Sequence, residues 1–178
     1  FRQGYSARAD LGGGVILTFV HELDAAFWCF GPVAEVYARA GALSDLDLPV
    51  EDVAQMLLTF ETGVLAHVAM DYVQWPPVRT VSVVGTEGRL LWDANGAGVE
   101  LYRRATETRE TFPHPDGFER NDTFLDELRH FLACLEGTET PLIPLAEGKA
   151  VLEIALAAKE AAATGQPVRL GEGPWARS

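Results

Sequence analysis

Residues 12–31 read GGGVILTFVHELDAAFWCFG, and the reading of this stretch decides the rest of the chain. Three glycines open it, and Gly31 followed by Pro32 closes it. Glycine lets the backbone turn tightly on entry, and a Gly-Pro pair is a common helix stop. Between them, residues 15–30 are almost all apolar and long enough for about four helical turns. The polar side chains inside fall in register. Thr18, His21 and Asp24 are spaced three apart, so one helix places all three on one face. An apolar helix with one polar stripe either buries a satisfied polar network or lines a cavity. We read the stripe as lining a cavity, with His21 at its centre. The competing reading is a core histidine held by Glu22 and Asp24. The glycines are not a dinucleotide fingerprint. G-x-G-x-x-G needs a strand before it and a third glycine, and here Leu17 stands at that place with no strand pattern upstream.

Upstream, residues 1–11 read as a short polar helix or loop. They have no apolar central region of the kind a signal peptide carries, and no initiator Met, so the chain is expected to begin inside a longer protein. Arg2 and Tyr5 lie just before the glycines, within reach of a polyol or carboxylate ligand.

Downstream, residues 33–40 alternate with the period of a half-buried strand. Residues 41–51 form an acidic, proline-bearing loop. Residues 53–60 and 64–73 are strand patterns joined by Glu61-Thr62-Gly63, a hairpin signal. Trp75-Pro76-Pro77 interrupts the pattern, since proline donates nothing to a ladder. Strand patterns resume over residues 78–84, 89–92, 99–104 and 108–112, separated by Gly-rich turns. Residues 123–135 then carry apolar side chains at helical spacing, with Asn121 or Asp122 as cap, and residues 145–164 form an alanine-rich helix ended by Gly165. Grouped strands with helices segregated to the ends predict an α+β fold: an open, mostly antiparallel sheet of about six strands with helices on one face. The strand runs keep apolar residues at both parities, which predicts a second copy of the chain covering the other sheet face.

The composition narrows the classes of function. The chain has 178 residues, 48% of them hydrophobic, enough for a real core in one domain. A net charge of −12 and no basic cluster beyond Arg103-Arg104 argue against nucleic-acid binding. No run of about 18 apolar residues marks a membrane span. The two cysteines, Cys29 and Cys134, lie in apolar helical patterns and read as buried thiols of a reducing cytoplasm, with a single disulfide as the alternative. His67 with Asp71, and His130 with Cys134, are each a pair of ligands only, so no metal site is predicted.

Taken in order, four segments carry a resemblance. They are LGGGVILTFVHELD (11–24), VSVVGTEGRLLWD (81–93), RNDTFLDELRHFLACLEG (120–137) and LAEGKAVLEIALAAKEAAATGQPVRL (145–170). The chain resembles the C-terminal substrate domain of the glucose–fructose oxidoreductase, inositol dehydrogenase and rhizopine-catabolism (Gfo/Idh/MocA) family over about residues 5–170. The resemblance implies a substrate-binding and oligomerisation domain over residues 1–171 and a tail over 172–178. It implies a nicotinamide-dependent oxidoreductase of a sugar or polyol. NAD or NADP would be bound mainly by an N-terminal Rossmann domain that has no counterpart here. The family's catalytic histidine falls on His21, and Thr18 stands where an acidic residue is frequent one turn earlier. Asp24 matches an acidic position common in the family's motif, where it also reads as a structural partner; with Thr18, and with Tyr5 and Arg2 from their place before the glycines, it makes up the candidates for substrate contact. Imidazole suits acid–base work on a hydroxyl because its unperturbed pKa of about 6.5 lies near neutrality. The alternative is a domain of the same fold kept for assembly or ligand binding without turnover.

Overall fold

The computed structural model describes residues 4–171, so Arg2 and the tail over 172–178 lie outside the described residues. The elements are α1 (Val15–Thr18), α2 (Val20–Phe30), β1 (Val33–Gly41), β2 (Val53–Phe60), β3 (Leu65–Asp71), β4 (Thr80–Gly85), β5 (Gly88–Asp93), β6 (Gly98–Arg103), β7 (Thr108–Pro113), α3 (Arg120–Leu135), α4 (Leu145–Thr164) and β8 (Val168–Arg169). The α+β class holds. The strands are divided differently from the sequence expectation: not one sheet of about six, but two antiparallel sheets of four, in the orders β3-β2-β1-β8 and β4-β5-β6-β7. The chain divides accordingly into two units, Phe1–Val73 with Ile143–Ser178, and Gln74–Leu142.

In the first unit the pleat sorts side chains cleanly, as a strand period of two requires. Val36 pairs with Leu58 and Val168, and Leu58 pairs with Ala66. This face, with Ala38, Ala54, Met56, Phe60 and Met70, is buried under the helices. Alanines 155, 157, 158 and 161 of α4 are all buried there, so the helix backbone can approach the sheet closely. Val15 and Ile16 of α1 and Leu23 of α2 complete the core. The opposite face carries Glu35, Tyr37, Arg39, Gln55, Leu57 and His67. It is a mixed face, tied by Arg169 to Glu35 (3.2 Å) and by His67 to Gln55 (2.7 Å).

In the second unit, β4 to β7 form a plain meander, with Leu90 opposite Val83 and Leu101. The sequence assigned both C-terminal helices to one sheet face. Instead α4 belongs to the first unit and α3 to the second. The α3 cap is Glu119, which shares a capping box with Asp122, so Asp122 sits three residues inside the cap.

Candidate functional site

The site is built on the glycine run. Short 3-10 turns at Tyr5–Ala7 and Ala9–Leu11 curl the chain so that its carbonyls face the glycines. Gly13 N–H donates to the Arg8 carbonyl (2.8 Å), Gly14 N–H to that of Ser6 (2.9 Å), and Val15 N–H to that of Glu51 (2.8 Å). A Cβ on Gly13 would lie 2.6 to 2.7 Å from three carbonyl oxygens. One on Gly14, where φ is +107°, would lie 2.3 Å from the Glu51 carboxylate. Close approach is therefore why glycines stand here. Glu51 is held in turn by the Lys159 ammonium at 2.8 and 2.9 Å. A phosphate cradle needs free N–H groups and a positive field. This loop spends its N–H groups internally and meets a carboxylate, so it does not fit the pyrophosphate of a dinucleotide.

The helix expected over residues 15–30 is broken. Phe19 leaves helical geometry (φ −103°, ψ +30°), and the segments on either side meet at 45°. Val15, Ile16, Thr18 and Val20 are β-branched and hold a helix weakly. The Phe19 ring packs edge-on to Tyr72, with ring centres 5.5 Å apart. Tyr72, just past β3, donates its hydroxyl proton to Thr18 Oγ1 at 2.7 Å. Burial pushes the Tyr72 phenol above its ordinary value. The Thr18 bond opposes that, and the charges of Glu51 and Tyr5 add to it.

The break undoes the single polar stripe. Thr18 turns to Tyr72, whereas His21 faces out from the first turn of α2 with 53% of its side chain exposed. Its Nε2 lies 3.2 Å from Glu22 Oε1, and its ring stands edge-on to Phe19 at 5.8 Å. Phe19 thus touches both the imidazole and the half-buried phenol. Asp24 is half-buried and its carboxylate makes no hydrogen bond or ion pair to another described residue, so the carboxylate beside His21 is that of Glu22. Tyr5 is exposed, one residue before Ser6, whose carbonyl lies 3.5 Å from the Tyr72 hydroxyl. Sequence reasoning singled out His21 and Thr18 but not Tyr72 as a site residue. Tyr72 sits in a strand pattern, and nothing local marks its hydroxyl as the partner of Thr18. Among the described residues no group of three or more His, Cys, Asp or Glu side chains is arranged to hold a metal ion.

The family model described as GFO/IDH/MocA C-terminal domain matches residues 2–91, just over half of the chain, including the glycine run, the broken helix and Tyr72. The chain belongs to the GFO/IDH/MocA C-terminal domain family. Among curated proteins there is no match. Solved structures of oxidoreductases share the fold. An aldose-aldose oxidoreductase from Caulobacter crescentus complexed with glycerol superposes with a TM-score of 0.79 at 23% identity, over 96% of this chain and 52% of that one. The WlbA dehydrogenase from Bordetella pertussis, in complex with NADH and UDP-GlcNAcA, gives 0.70 at 20% identity, over 90% and 49%. An oxidoreductase from Agrobacterium radiobacter, in complex with NAD+, L-tartaric acid and magnesium, gives 0.68 at 22% identity, over 85% and 47%. The chain spans about half the length of these GFO/IDH/MocA-like oxidoreductases.

Proposed function

We propose that this chain is the substrate-side domain of a cytoplasmic nicotinamide-dependent oxidoreductase acting on a hydroxyl or keto group of a sugar or polyol. NAD or NADP supplies the hydride chemistry and is bound mainly by an N-terminal Rossmann domain outside these residues. The observation that carries the reading is the placement of His21. An imidazole lies half-exposed on the first turn of α2, steadied by the Phe19 ring and the Glu22 carboxylate. His21 takes the proton of a substrate hydroxyl in the oxidising direction and returns it in the other. Glu22 stabilises the imidazolium that forms. Thr18, held by Tyr72, fixes the break that turns His21 outward, and Tyr5, Arg2 and Asp24 contact the substrate's remaining hydroxyls. The fragment alone is inactive.

The test is turnover of the full-length enzyme with sugars and polyols and either cofactor. His21→Ala lowers it by about 10²–10⁴, with a smaller effect on cofactor affinity. Turnover within about threefold of the parent would make His21 an ordinary surface residue and return the domain to an assembly role. Assembly itself is proposed through the outer face of the first sheet, where Leu57 and Leu65 are exposed beside Tyr37. Sedimentation at micromolar concentration reads this directly. A stable species of single-chain mass would refute it.

A further inference from the structure

Away from the glycine loop, the C-terminal end of α3 carries an arrangement that the oxidoreductase reading does not use. His130 and Cys134 are one helical turn apart on the same face. Just beyond, Gly137 takes a left-handed conformation (φ +74°), and Thr138 N–H and Oγ1 both donate to the Ala133 carbonyl. The chain therefore reverses and brings residues 139–142 back against the helix. Glu139 Oε2 lies 2.5 Å from His130 Nδ1, Leu142 N–H donates to His130 Nε2 at 3.2 Å, and Cys134 Sγ lies 3.6 Å from the same Nε2.

The donors fix the tautomer. An amide N–H points at Nε2, so that nitrogen is the acceptor and Nδ1 carries the proton toward Glu139. A thiol, an imidazole whose acceptor nitrogen lies 3.6 Å from it and is shared with the Leu142 amide, and a carboxylate on the far ring nitrogen are the parts of an activated nucleophile. The imidazole also walls an open depression of about 430 Å³, lined further by Gly137, Thr138, Glu139, Thr140 and Leu142, which gives a small molecule room beside the ring.

We propose that Cys134 is a nucleophilic thiol, with His130 as its base and Glu139 as the positioning carboxylate, and that it is modified by low-molecular-weight disulfides. In the step, the Cys134 proton passes to His130 Nε2, which gives up the Leu142 amide. The sulfur attacks one sulfur of the disulfide, a new S–S bond forms as the old one breaks, and the second half leaves as a thiolate that takes up a proton. Cys134 and the departing thiol exchange places, with no other oxidant consumed.

Cys29 supplies an internal reference. It is exposed on α2, and its thiol has no hydrogen-bond partner among the described residues. The experiment treats the full-length native protein with glutathione disulfide at pH 7, quenches with acid, and quantifies the mixed disulfide on tryptic peptides 9–39 and 130–149. These hold Cys29 and Cys134 respectively. Cys134 is expected to react about tenfold faster than Cys29 although it is less exposed. His130→Gln brings it to the Cys29 rate or below, and Glu139→Gln gives an intermediate rate. Cys29 itself keeps its rate in both variants, which reports that the fold is intact. A Cys134 rate at or below that of Cys29 in the parent protein overturns the proposal. So does a rate that neither substitution changes. If His130→Gln unfolds the chain, the parent comparison and Glu139→Gln still decide.

Discussion

Asp52 is the one buried charged side chain of the described core, at 0% exposure. Its carboxylate accepts from Leu43 N–H (2.7 Å), Ser44 N–H (3.2 Å) and the Ser44 hydroxyl. Burial alone raises a carboxyl pKa, but the three donors outweigh it and hold Asp52 below its ordinary value. Bonds to a charged acceptor contribute roughly 1.5–3 kcal/mol each. The simple sum is too large, because Leu43 is exposed and Ser44 only half-buried, so their donors regain water when the carboxylate is lost. A cost of about 2–4 kcal/mol for Asp52→Ala, and about 1–3 for Asp52→Asn, follows. With a urea slope of about 2 kcal/mol/M, the Ala midpoint falls by roughly 1–2 M. The pH dependence has a fixed sign. A depressed carboxylate contributes stability above its unfolded pKa of about 3.9, and that contribution is lost as pH falls through the lower folded value. The gap between parent and Asp52→Asn should thus be constant from neutrality to about pH 5 and shrink below about pH 4. Urea unfolding followed by circular dichroism at several pH values measures both. A gap that ignores pH, or an Asn midpoint within about 0.25 M of the parent at neutral pH, would refute the reasoning.

Gly14→Ala should lower the melting temperature by about 5–10 °C, since it adds a Cβ 2.3 Å from the Glu51 carboxylate at a positive φ. Gly148→Ala, inside α4 with nothing within 4 Å of the new Cβ, should raise it by about 2–3 °C; calorimetry on the pair separates close packing from helix propensity. Tyr72→Phe should cost about 0.5–1.5 kcal/mol near neutrality through the lost Thr18 bond. The raised phenol contributes stability below the unfolded pKa of about 10 and loses it as pH rises through the folded value, so melting temperatures of the Phe variant should fall less steeply above about pH 10.

What the sequence made legible was local. The strand over residues 53–60 was readable, and its burial alternates, with Ala54, Met56, Leu58 and Phe60 buried; Leu57, apolar on the other parity, faces out beside Gln55. The alanine-rich α4 and its glycine stop fall where propensity puts them. The break at Phe19 left only a weak trace, the β-branched residues on either side of it, because the ring that receives Phe19 belongs to Tyr72, beyond β3. Asp52 sits where an acidic loop meets a strand, and only the folded loop supplies its donors. The Trp75-Pro76-Pro77 interruption was visible, but a break within a meander and a passage between two sheets look alike until the pairing is known. Cys29, expected to be buried, is exposed: the bend at Phe19 sets which side of α2 meets the core, and Leu23 is its fully buried residue. His130 and Cys134 were legible as neighbours one helical turn apart. Glu139 joins them only through the reversal at Gly137.

His21 is itself exposed, yet little about its position is decided at the surface. The start of α1 is fixed because Val15 N–H is taken by the Glu51 carbonyl. The same residue's carboxylate sits against Gly14 and is anchored by Lys159, 108 positions further along the chain. The end of α1 is fixed where Thr18 meets the Tyr72 phenol, and the direction of α2 is fixed by Leu23 in the core. A side chain whose backbone is held at three points, by two half-buried partners and a core leucine, loses less freedom when a ligand arrives, which is the physical sense of preorganisation. That also gives the glycine run a role distinct from the one its composition suggests. It brings a carboxylate and three carbonyls close enough to lock the first turn of a helix, and the imidazole that follows inherits its direction from that lock.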